Sequence, residues 1–268
     1  MPPEPVRTFP KAALTMLQTR VIPCLLLRGW GLVKTVKFKD ARYVGDPINT
    51  VRIYNEKEVD ELIFLDITAT PESKSPPFQI IEEIATECFM PVTYGGGLRS
   101  LDDLRTIFGL GIEKVAVNSY AFERPEFIRQ AAEVFGSQSI VASIDVRRTL
   151  FGRYHVMTRG GTLDTKLHPV SWARQLVELG AGEILLTSID RDGTYAGYDL
   201  ELIRSVTEAV PIPVIACGGA GSIQDFAAAV KTGGASAVAA GSMVVYQGQD
   251  RGVLINFPKK QDLKRVLE

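Results

Sequence analysis

Cysteine and histidine are scarce in this sequence, at three and two residues of 268. Cys24, Cys88 and Cys217 are too few and too scattered for a disulfide framework or a zinc cluster. Cys24 and Cys217 fall in apolar, strand-like runs, where a free thiol usually serves as a small core residue. His155 and His168 share one polar stretch with no ligand spacing, which argues against a two-histidine metal site or a serine–histidine triad. Acid–base work therefore falls to carboxylates and lysines, and neither a metal nor an organic cofactor is implied. An excess of one charge is also missing. A net charge of −1 gives no electrostatic reason to expect nucleic acid or an anionic membrane, so any anion site must be local. No run reaches the roughly 18 apolar residues of a membrane span.

Residues 1–15 (MPPEPVRTFPKAALT) are proline-rich and lack the apolar centre of a signal peptide. They read as a disordered extension or an early start codon, with the ordered pattern beginning at Met16. The expectation is one cytoplasmic domain over 16–268. A hydrophobic content of 46% beside 23% charged residues suits a soluble globular protein of that size.

Short β-branched runs alternate with amphipathic stretches after Met16. Candidate strands are 20–27, 61–67, 90–94, 114–118, 140–145, 183–188, 213–217 and 236–241. Most are nearly all apolar, as parallel strands buried on both faces are. Helical patterns occupy 77–87, 101–110, 125–134, 169–179, 200–210 and 223–232. Eight strands with intervening helices predict an α/β fold, a single (β/α)8 TIM barrel. The alternative is an open doubly wound sheet, whose usual count is nearer six strands. An internal repeat favours the barrel. ELIFL at 61–65 matches EILLT at 183–187, and GGLRSLDD at 96–103 matches GGAGSIQD at 218–225, both displaced by 122 positions. Gly111 and Gly233 keep that register. Two half-barrels of four strands would repeat any ligand site.

The repeated glycines suggest what that site holds. Gly95-Gly96-Gly97 ends the third strand and Gly218-Gly219-Ala220-Gly221 the seventh. Without a Cβ the backbone N–H groups can approach an anion, and the following helix adds its positive end. Asn118-Ser119 follows the fourth strand and Gly241-Ser242 the eighth. Paired in symmetric halves, these turns point to a bisphosphorylated small-molecule ligand. Asp190-Arg191-Asp192-Gly193 faintly suggests a calcium loop, but Tyr195 holds the position that requires glycine.

The segments VIPCL (21–25), FLDITA (64–69), YGGG (94–97), FGSQS (135–139) and GEILLTSIDRDGT (182–194) resemble the HisF family, the cyclase subunit of imidazole glycerol phosphate synthase. The resemblance runs from Met16 to about Val245. It implies a phosphate-binding set of Gly97, Asn118, Ser119, Asp192, Gly193, Gly219, Ala240, Gly241 and Ser242. It also implies paired general acid–base aspartates at the ends of strands one and five. Asp145 matches the second of these. Leu26 stands where the first is expected and cannot transfer a proton, a loss that typically costs ~10²–10⁴ in rate. Lys34, Asp66, Thr187 and Asp192 match active-face positions, and Lys34 and Asp66 join Asp145 as catalytic candidates. Asp66 could equally be a structural strand-end carboxylate.

Arg20, Glu61, Lys114 and Glu183 each open a strand. Charges pointing into a barrel are costly unless they pair, and two cations with two anions can neutralise one another as a ring. In the HisF family the matching positions gate ammonia arriving from a HisH-like glutaminase. An intact gate with a broken aspartate pair resembles the HisF-like, WbuZ-type glycosyl amidation-associated branch. That implies ammonia transfer for amidation of a nucleotide-linked sugar in surface-polysaccharide synthesis, with a sugar amidotransferase as a further partner. The alternatives are an authentic cyclase of histidine biosynthesis and a non-catalytic allosteric partner of a glutaminase. The loop 147–166 carries a hairpin signal and reads as a lid or a plain surface hairpin.

Overall fold

The computed structural model describes residues 19–248 and 252–268. The expected extension at 1–15 and the start at Met16 lie outside the described residues.

Eight parallel strands close on themselves. In order they are Arg20–Arg28, Leu62–Asp66, Val92–Gly95, Lys114–Val117, Ile140–Arg148, Glu183–Ser188, Val214–Cys217 and Ala237–Ala240. Each pairs with the next, and the eighth returns to the first with Arg20 opposite Ala237 and Val21 opposite Val238. A closed ladder leaves no edge, so this is the (β/α)8 barrel and the open-sheet alternative is set aside.

Successive side chains of a strand face opposite sides, which divides the core in two. Val21, Leu25, Leu27 and Phe64 turn outward into the large layer between barrel and helices. Ile22, Cys24, Ile63, Val141, Leu185 and Ile215 belong to a separate cluster inside the barrel. Barrel strands are thus buried on both faces, which is why their sequences show no polar alternation.

The half-barrel repeat is visible in the backbone. Gly96 and Gly97 have φ of 123° and 71°, and Gly218 and Gly219 have 91° and 113°. The helices that follow, Leu101–Gly109 and Ile223–Lys231, begin alike. Asp103 accepts from the N–H groups of Arg99 and Ser100 at 3.0 and 2.9 Å. Asp225 accepts from Gly221 and Ser222 at 2.9 and 2.8 Å. The displacement is again 122 positions, so the same anchored turn is built twice at the same end of the barrel.

Several elements were not expected. The helix Pro47–Glu56 starts from an Asp46 cap that accepts the N–H of Asn49 at 2.8 Å. The first barrel strand continues into antiparallel strands Gly31–Val36 and Lys39–Gly45. The loop after the fifth strand does form a hairpin, with Tyr154–Thr158 lying antiparallel to it. Among the described residues, no helix is long and apolar enough to cross a membrane.

Candidate functional site

Four charges meet at the N-terminal end of the barrel. Arg20 Nη1 lies 2.5 Å from Glu61 Oε2, and its other terminal nitrogen contacts Glu183. Lys114 Nζ lies 2.9 Å from Glu183 and 3.3 Å from Glu61. Glu61 also accepts from Thr93 Oγ1 at 2.9 Å. Cations and anions alternate around the ring, so its charge sums to zero and each glutamate touches both cations. Both glutamates are buried, at 2% and 5% exposure, and burial at that level is sustained only by such pairing.

Above the ring the axis is apolar. Ile22, Ile63, Val141, Leu185 and Ile215 fill it together with small alanines, and Cys24 and Cys217 form its upper rim. Both thiols line the cavity above. The Cys217 thiol hydrogen-bonds Cys24, which lowers Cys24 from the usual thiol range and raises Cys217.

The C-terminal end opens into a cavity of about 570 Å³. Every predicted catalytic residue lines it: Lys34, Asp66 and Asp145, with Leu26 beside them. Of the predicted phosphate ligands, Gly97, Asn118 and Ser119 line one side and Asp192, Gly193, Gly219, Gly241 and Ser242 the other. Ala240 does not line it and is buried at 1% exposure. Short helices begin directly after Asn118 and Gly241, at Ser119–Glu123 and Ser242–Val245. A side chain on Gly97 would meet Lys74 O and Ala69 Cβ at 2.9 Å, so close backbone approach needs glycine there.

Asp145 sits deep in the barrel on the inward face of the fifth strand. Asn118 Nδ2 donates to it at 3.0 Å, and Thr187 is a second partner. Burial, reinforced by the negative charge of Asp192, raises it to about 7 against those hydrogen bonds. A carboxyl poised there can both give and accept a proton near neutral pH. Asp192 is also raised by burial, while Lys34 pulls it the other way. Thr35 Oγ1 donates to Asp192 at 3.1 Å. Lys34 is 7% exposed and its ammonium donates to the carbonyl of Cys24.

Asp66 differs from the other candidates. Its Oδ1 accepts from Thr68 N and Thr68 Oγ1 at 2.8 Å and from Ala69 N at 3.1 Å. It therefore holds the turn after the second strand, as a structural strand-end carboxylate would. The carboxylate whose charge reaches Asp145 is Asp192, which the sequence reading had placed on the active face and among the phosphate ligands but not among the catalytic candidates.

Two turns arch over the mouth. Phe38, between the unexpected strands, and Arg159, Gly160 and Thr162, after Tyr154–Thr158, all line the cavity. Lys37 N donates to Asp192 O at 2.9 Å, tying the first arch to the side lined by Asp192 and Gly193. Arg159 N donates to Ser119 Oγ at 2.9 Å, tying the second arch to the opposite side. Lys37, Phe38 and Arg159 all have positive φ without being glycine; no glycine marks the first turn, whereas Gly160 and Gly161 follow Arg159 in the second.

The sequence model of the family described as "Histidine biosynthesis protein" matches residues 20–251. A Pseudomonas aeruginosa protein described as "Putative imidazole glycerol phosphate synthase subunit hisF2" is 53% identical over 243 residues, covering 91% of this chain and 97% of that protein. One from Leptospira interrogans, described likewise as subunit HisF, is 47% identical and covers 92% of this chain and 98% of its own length. The "Imidazole glycerol phosphate synthase subunit HisF" of Alkaliphilus metalliredigens is 48% identical over 231 residues, 86% of this chain and 92% of that protein.

Proposed function

Since the chain belongs to the HisF family of imidazole glycerol phosphate synthase cyclase subunits, we propose that it is a synthase subunit acting in histidine biosynthesis. In this reading a HisH-like glutaminase docks on the charged ring and releases ammonia into the barrel. The ammonia reacts at the mouth with an aminoimidazole ribonucleotide ketose held by its two phosphates. The products are imidazole glycerol phosphate and the carboxamide by-product.

The observation supporting this most is the single axis joining ring, apolar interior and Asp145. Neutral ammonia enters an apolar interior at little cost, whereas ammonium would leave water at a cost of several kcal/mol. Asp145 then meets the nucleophile with a carboxyl near its midpoint at neutral pH. Asp192 and Lys34 offer the second proton-handling group in place of the absent first-strand aspartate, and Asp66 is engaged elsewhere. The two glycine-lined sides of the cavity suit a ligand with a phosphate at each end.

Leu26 favours a second reading, in which the barrel relays ammonia to a sugar amidotransferase for amidation of a nucleotide-linked sugar. The two readings part in one assay. The purified chain is given the ketose substrate and ammonium salt at pH 8 or above, without glutaminase. Turnover at ordinary enzyme rates supports the cyclase. Absence of product, with glutamine-dependent amidation in the presence of both partners, supports the relay.

A further inference from the structure

A second cavity of about 450 Å³ lies outside the barrel, against the turn that follows the first strand. Its walls are Arg28, Gly29 and Trp30 on one side and the segment from Thr68 to the first turn of Phe78–Glu87 on the other. Asp66 lines both this cavity and the mouth, so the two adjoin through one residue.

The turn is shaped to display an aromatic ring. Arg28 pairs with Gly31 across a two-residue hairpin turn, and Gly29 takes φ of 60° as its first central residue requires. The ring of Tyr43 lies over Gly31, the residue that follows Trp30. Trp30 is 60% exposed, whereas the other tryptophan, Trp172, is 4% exposed. An indole held in solvent on a cavity rim offers a stacking face.

The charge beside it is also uncommitted. Lys74 pairs with Glu72 and Asp66 holds its own turn. The guanidinium of Arg28 has no ion pair or hydrogen bond among the described residues. The helix Phe78–Glu87 starts from Pro77 without a side-chain cap, so its first N–H groups add positive potential to the same cavity. Gln79 and Ser75 supply donors and acceptors along the wall, and the Thr68 hydroxyl, whose proton goes to Asp66, adds an acceptor.

We propose that this cavity binds a nucleoside phosphate, with the base stacked on Trp30 and the phosphate held by Arg28. A free aromatic face specifies a flat ring, the unpaired guanidinium specifies an anion, and the amide and hydroxyls between them suit the edge of a base. The ligand would lie beside the reaction chamber without entering it. The proposal holds whichever acceptor receives the ammonia, since it concerns binding alone.

The test uses the full chain and UDP and ADP as probes, followed by tryptophan fluorescence and by calorimetry. A Trp172→Phe variant leaves Trp30 as the sole emitter. At least one of the two nucleotides is expected to quench its emission saturably, and inorganic pyrophosphate to bind about tenfold or more weakly. Trp30→Ala and Arg28→Ala should each weaken calorimetric binding about tenfold or more. Both positions are exposed, so unchanged thermal melts are expected to show that the fold is kept. Three results would overturn the proposal: no saturable quenching by either nucleotide into the millimolar range, pyrophosphate binding as well as the nucleotides, or affinity unchanged in Trp30→Ala, which would place the nucleotide at the mouth instead.

Discussion

Asn118 Nδ2 donates to Asp145 Oδ2 at 3.0 Å, joining the turn after the fourth strand to the carboxyl on the fifth. That bond favours the charged form, while burial and Asp192 favour the neutral one, and the balance lies at about 7. Removing the donor with Asn118→Ala should move the titration of Asp145 above 7. Carboxyl-selective infrared or NMR titration reads this directly, and a midpoint near 4 in the parent chain would contradict the environment described here.

The same shift makes stability depend on pH. The native state holds the Asp145 proton up to about pH 7, whereas an unfolded aspartate releases it near 3.9. The stabilising contribution is therefore complete below about pH 4 and is lost as pH rises to 7. Urea unfolding of the parent chain and Asp145→Asn should show a stability difference that shifts against the parent across that window. A constant difference from pH 4 to 8 would refute the shift.

The ring of Arg20, Glu61, Lys114 and Glu183 was legible because each charge opens an apolar strand. The repeat, the barrel and most strand positions were legible for a similar reason, since strands buried on both faces have little sequence freedom. The helix Pro47–Glu56 escaped despite its Asp46-Pro47 start, because its interior mixes β-branched and polar residues with low helical propensity. The first arch escaped because Lys37 and Phe38 adopt left-handed backbone that only tertiary contacts impose, whereas the hairpin signal in 147–166 did mark the second. Asp66 and Asp192 illustrate the remaining limit. Asp66 ends its strand and Asp192 lies in the turn after Glu183–Ser188, and only the positions of their neighbours show which holds a turn and which faces Asp145.

If the ring serves ammonia entry, Arg20→Ala should reduce glutamine-driven turnover much more than ammonium-driven turnover, assayed with a glutaminase partner. It should also destabilise the chain, because buried Glu61 and Glu183 would then share Lys114 alone. Equal loss of both activities would assign the ring a folding role only.

Restoring the first-strand carboxylate tests the effect of Leu26. Leu26→Asp should raise ammonium-driven cyclase turnover by about tenfold or more, as a second positioned acid–base group does. The variant should be less stable than the parent, because a carboxylate would replace an apolar contact beside Leu65. Unchanged turnover in a folded variant would mean that Asp192 and Lys34 already complete the pair.

The two glycine-lined sides of the cavity, proposed to hold one phosphate each, should respond alike to a side chain in their turns. Gly97→Ala and Gly219→Ala each place a Cβ where φ is positive and neighbouring atoms are close. Each should raise KM for a bisphosphate substrate with a smaller effect on kcat. An effect on one side only would indicate a ligand with a single phosphate.

The proposed proton transfer by Asp145 during ammonium-fed turnover is open to direct measurement. The rate of imidazole glycerol phosphate formation from the ketose substrate and ammonium salt should fall ~10²–10⁴-fold in Asp145→Asn, with substrate binding retained. Product formation at equal rates in parent and variant, or no product from either, would contradict the account.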